Sequence, residues 1–146
     1  MMDMTGKLRT FLRDENGASA IEFVILAPML IMALLGVMQV GFYMQAQNAL
    51  ASIATDMSRF MSVEYQRDNK ITNTLLENRA YSRAIGAPYL LQPEGISVSA
   101  KDASTQTISN VREIELELGY KVPNVMAFAS FGPMDLTYKK SIFVPN

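Results

Sequence analysis

Glu22 is the residue whose position most needs a chemical reason. It follows Asn16-Gly17-Ala18-Ser19-Ala20-Ile21 and opens onto twenty-two residues, FVILAPMLIMALLGVMQVGFYM, that carry no charge. A carboxylate costs roughly 2.5 to 3.5 kcal/mol at mid-membrane and less at the border, so its presence there asks for an offsetting interaction. A local one is available: Ser19-x-x-Glu22 has capping-box spacing, and an acid in a first helical turn complements the helix dipole. The other acids that could act together are Glu113, Glu115 and Glu117. They suggest calcium by type, but oxygen ligands must converge on the ion, and three acids along one strand face line up instead. A solvated face is the expectation for them. With no His and no Cys, the chain has no imidazole or thiolate metal site and no Ser-His or Cys-His nucleophile. No converging acid pair stands in their place, so no catalytic, cofactor or metal residue is assigned and the chain is expected not to be an enzyme.

The element that must position Glu22 is the apolar run itself, residues 23–44. At 1.5 Å per residue it covers roughly 33 Å, enough for a hydrocarbon core of about 30 Å. The whole chain of 146 residues is 49% hydrophobic and 18% charged, and this run holds the excess. Lys7, Arg9 and Arg13 precede it, and no Lys or Arg follows until Arg59. The positive-inside rule then keeps the amino terminus cytoplasmic and places the carboxyl-terminal domain outside. Thirteen basic against fourteen acidic residues leave a net charge of −1, which gives no grip on a phosphate backbone. Nucleic acid is not an expected partner. Ala49-Leu50-Ala51 has the form of a signal-peptidase site, but the run exceeds a signal h-region of about 7 to 15 residues, and helical spacing continues past it.

Beyond the run, Ala46, Leu50, Ile53, Met57, Phe60 and Met61 recur at helical spacing, so the helix is expected to leave the membrane and end near residues 65–70. Thr74 and Glu77 match a capping box for a second helix, closed by Gly86 and Pro88. Its packing side is Leu76, Ala80, Ala84 and Tyr81, and Arg79 and Arg83 are expected to be solvated. Ile96, Val98 and Ala100 alternate with polar residues. Ile114, Leu116, Leu118, Tyr120 and Val122 do so more strongly, with Glu113, Glu115, Glu117 and Lys121 opposite, and residues 136–144 give a third strand. The fold class is α+β: a long amino-terminal transmembrane helix extending into a small domain with a second helix and an antiparallel sheet of about three strands. The segment VMAFASF at residues 125–131 is left with two readings, a cover for the sheet or a contact with the membrane.

Gly17 followed by a small residue, Glu22 five positions on, an unbroken apolar helix, and Pro28 and Gly36 within Ala27-Pro28-Met29-Leu30 and Leu34-Leu35-Gly36-Val37 together resemble the TadE-like pseudopilins of the Tad/Flp, type IVb-like pilus system. The resemblance covers about residues 11–59. It implies a prepilin-type leader at residues 1–17, cut by a membrane prepilin peptidase between Gly17 and Ala18. A transmembrane and extended helix at residues 18–65 and an extracytoplasmic α+β domain at residues 66–146 would follow. It further implies that Glu22 pairs with the free amine of a neighbouring subunit's amino terminus during pilus assembly. Such a buried pair sets register better than it adds stability. Pro28 would permit a kink, or only a passive bend. Gln39 departs from the pattern, because TadE-like proteins often carry an acid there.

On this resemblance the chain is a minor pilin or pseudopilin, a single-pass protein of the bacterial cytoplasmic membrane associated with the pilus. Its partners would be prepilin peptidase, other pilin and pseudopilin subunits, the membrane assembly platform and the lipid bilayer. The rival reading is an unprocessed bitopic envelope protein whose outer domain binds a partner.

Overall fold

The computed structural model describes residues 15–105, 107–129 and 132–145. Residues 1–14 of the expected leader lie outside them. The elements run α1 (Glu15–Gln66), α2 (Asn73–Ile85), β1 (Ile96–Asp102), β2 (Val111–Val122) and β3 (Met134–Pro145), with short 3-10 turns at Pro93–Gly95 and Ala127–Ala129. The architecture is α+β, with a long apolar amino-terminal helix, a second helix and a three-stranded antiparallel sheet. Two units divide at Met38 and Gln39, and α1 contributes to both.

In the first unit the side chains of residues 19–38 of α1 are largely uncovered, with Ile21, Phe23, Val24, Met29, Leu30 and Val37 all exposed. The most apolar stretch of the helix has a mean hydropathy of 2.4 and none of it is buried. A soluble helix would hide such a surface, and this one is long and apolar enough to cross a membrane.

In the second unit the same helix changes character. Ala46, Leu50, Ile53, Ala54, Met57 and Met61 form a buried stripe at spacings of one, three and four. Asp68 ends the helical run in the left-handed region at φ 58, which a short polar side chain tolerates better than most. The stripe shares one core with Leu76, Ala80 and Ala84 of α2 and with Ile114, Leu116, Leu118, Tyr120, Val122, Ile142 and Val144 of the sheet. The strand order is β1-β2-β3, with Ile96 opposite Tyr120, Ile114 opposite Ile142 and Val122 opposite Met134.

Several local expectations need correction. Helix α2 starts two residues earlier than the Thr74 capping box implies: Thr72 is the N-cap, and its Oγ1 accepts from Leu75 N at 3.3 Å. Glu77 is thereby released to accept from Ala100 N at 2.7 Å, which satisfies a backbone donor on the open edge of β1. Tyr81 points outward rather than into the core. Arg83 is not simply solvated, since its Nε lies 3.1 Å from Asp56 Oδ2 and its guanidinium lies 5.4 Å from the Tyr89 ring centroid. Arg79 likewise sits 5.0 Å above Phe60, so both arginines tie α2 to the elements beside it.

Candidate functional site

Residues 15–18 are already helical, so Ser19 and Glu22 lie inside α1 and do not cap a helix start. Gly17 and Ala18 lie in helical backbone near the start of the described residues. Glu22 is exposed and has no ion-pair partner among the described residues. No charged residue follows it until Asp56. Without the local capping role this carboxylate stands on an otherwise apolar surface with no ion-pair partner among the described residues. Pro28 lies within α1, where its missing N–H leaves the Val24 carbonyl without the usual partner.

At the other end of the apolar surface stands a residue whose role the sequence does not disclose. Gln39 is 3% exposed. Its Nε2 donates to Pro123 O at 3.1 Å and approaches Met134 Sδ at 3.9 Å, while its Oε1 accepts from Val125 N at 3.0 Å. One amide therefore holds both ends of the β2–β3 connection. An ionised acid has acceptors only and would set an oxygen against the Pro123 carbonyl, which gives a physical reason for glutamine at this position. Replacing it with leucine leaves a backbone donor and an acceptor without partners. Gln39→Leu is expected to cost about 1–3 kcal/mol in a urea titration of the full chain in micelles. Gln39→Glu should cost more at neutral pH and recover as the pH is lowered, because the protonated acid regains a donor.

At the far end of the domain Arg112 makes the corresponding closure. Its Nε meets Asp102 Oδ1 at 2.8 Å, its Nη1 donates to Tyr65 Oη at 2.8 Å and Ile71 O at 3.2 Å, and its Nη2 donates to Asn73 Oδ1 at 2.9 Å. The planar fork joins the end of α1, the start of α2 and the end of β1, which the point charge of a lysine would not do.

On the outer sheet face the three acids do not share one environment. Glu115 and Glu117 are exposed and interleaved with Lys101 and Lys139, and Lys139 Nζ lies 3.1 Å from Glu117 Oε2. Glu113, expected to be solvated, is only 7% exposed because the β1–β2 loop folds over it. Its Oε2 accepts from Thr107 Oγ1 at 2.8 Å and from Thr107 N at 3.3 Å. The Thr107 hydroxyl, opposed by desolvation and helped by Ser141 and the Thr107 amide, holds the Glu113 carboxyl below its ordinary value. A lowered folded value stabilises above the unfolded value, about 4.3 for glutamate, and that contribution is lost as pH falls through the folded value. The denaturation midpoint should therefore fall on acidification below that range, and Thr107→Ala should flatten the decline. Among the described residues no three acidic groups converge as metal ligands would.

The candidate residues expected from the sequence lie mainly along α1. Residues 17–59 match the family of TadE-like proteins. No curated protein and no solved structure matches the chain.

Proposed function

The chain is TadE-like over residues 17–59, a likeness that relates it to Tad pilus systems, and from that premise we propose that it is a minor pilin or pseudopilin of a Tad-type pilus. It is a non-enzymatic subunit that acts in pilus assembly or priming. The observation that carries this reading is the family match itself, which takes in Gly17, Glu22 and the whole uncovered segment of α1.

Prepilin peptidase cuts between Gly17 and Ala18, after the helical backbone around the bond unwinds to present it in an extended form. Glycine favours that step, being about 1 kcal/mol poorer than alanine in a helix and having no side chain to obstruct the protease. Residues 23–44 then anchor the subunit in the cytoplasmic membrane, with the amino terminus inside and the α+β domain outside. On leaving lipid for a bundle of like helices the apolar surface gains little, because acyl chains are as oily as leucine. Glu22 supplies what packing cannot: a single strong contact, to the new amine of a neighbouring subunit, that fixes the axial register.

The test is fractionation of a piliated host that carries the gene or lacks it. Deletion should abolish or sharply reduce piliation, the full chain supplied from a plasmid should restore it, and the subunit should co-purify with sheared pili or with the assembly platform. Normal piliation in the deletion strain, with the chain confined to membranes free of pilus components, would leave an ordinary bitopic envelope protein.

A further inference from the structure

The connection between β2 and β3 is the longest stretch of the outer domain without a charge. From Val122 to Met134 no residue is acidic or basic, and the charges resume at the paired residues Lys121 and Asp135. Its central residue Phe128 is 65% exposed in the 3-10 turn Ala127–Ala129, so the segment does not cover the sheet with that ring. Both ends of the connection are fastened to Gln39, through Pro123, Val125 and Met134. Gln39 directly follows Met38, the last residue of the unit whose apolar side chains are uncovered. Phe128 stands three residues from Val125, within about 10 Å of the clamp even if the chain were fully extended. On α1 itself Val40 and Met44, just past the clamp, are also exposed.

We propose that the 3-10 turn Ala127–Ala129 rests on the membrane: Phe128 inserts into the headgroup and upper acyl region of the leaflet from which α1 emerges, and Gln39 sets its depth. The occupant is the lipid surface because the loop is tied to Gln39, which lies within the outer end of the apolar run 23–44. A charge-free, aromatic-bearing segment at that depth has the composition of an interfacial anchor. The anchor would hold the α+β domain against the bilayer until the subunit is extracted. The inference rests on α1 crossing the membrane, and it holds whether or not the chain is cut at Gly17.

The chain contains no cysteine, so single-cysteine variants of the full protein can be spin-labelled without background. Phe128→Cys is compared with Leu30→Cys in the apolar segment and with Ile108→Cys. Ile108 is an apolar residue, 50% exposed, in the β1–β2 loop at the opposite end of the sheet. The variants are reconstituted sparsely in phosphatidylethanolamine and phosphatidylglycerol vesicles, and label collisions are measured with oxygen, which concentrates in lipid, and with a water-soluble nickel chelate. The oxygen-to-nickel ratio should be highest at position 30, lowest at 108 and clearly raised at 128 above 108. A ratio at 128 equal to that at 108, with 30 still deep, overturns the loop while leaving the span intact. Shielding of 128 from both reagents means that protein covers it and also overturns the proposal. A water-exposed label at 30 overturns the span and the loop together.

Discussion

A chain carrying Gly17→Arg should accumulate in the membrane at its full precursor mass in a host whose prepilin peptidase is active. The bond after residue 17 lies in helical backbone, which must unwind before the chain can extend. Arginine alters both steps. It stabilises helix relative to glycine by close to 1 kcal/mol, and it puts a long charged side chain where the protease must approach the backbone. The helix term alone slows the cut several-fold, and obstruction at the reacting bond adds at least about another tenfold, or roughly 1.4 kcal/mol in the barrier. A gel shift between variant and wild type reads the result directly. Maturation of Gly17→Arg at the normal rate would remove Gly17 and Ala18 from the account.

Glu22→Gln should insert, span and mature normally, yet fail to enter the pilus. The amide is nearly isosteric and less costly at the lipid border, so insertion is unchanged or slightly improved. It loses the charge that seeks a neighbour's amine. Since Glu22 has no ion-pair partner among the described residues, its removal breaks no ion pair among them. The domain's denaturation midpoint should therefore stay within about 0.5 kcal/mol of wild type, as for an exposed substitution. Loss of incorporation without loss of stability is the signature that separates an assembly residue from a structural one. Pili with their usual content of Glu22→Gln subunits would leave this carboxylate without a function.

Much of the frame was legible because it rests on periodicity. The alternation of Ile114, Leu116, Leu118, Tyr120 and Val122 can bury only one face of a strand. The stripe from Ala46 to Met61 likewise marks one face of a helix. What escaped reading depends on partners distant in sequence. Gln39 looks like a lone polar residue in an apolar run until Pro123 and Val125, more than eighty positions away, are brought to it. Glu77 fits a local capping pattern, but the better cap lies at Thr72 and the carboxylate goes to Ala100. Glu113 belongs by alternation to the solvated face, and only the fold of the Thr107 loop hides it. Arg112 reads as an ordinary strand residue, although its fork closes three elements at once. At the junction the types and spacing of Gly17, Ala18 and Glu22 were fully visible in the sequence. That Ser19 caps nothing was not, because its spacing to Glu22 imitates a helix start although residues 15–18 before it are already helical.

The most direct measurement is the first residue of the wild-type chain after extraction from host membranes, read by intact mass together with amino-terminal sequencing. The account predicts a chain that begins at Ala18 when the prepilin peptidase is present, and the uncut precursor when the peptidase is deleted. A mature chain that still carries residues 1–17 in a peptidase-positive host, or one cut at a different bond, would contradict it.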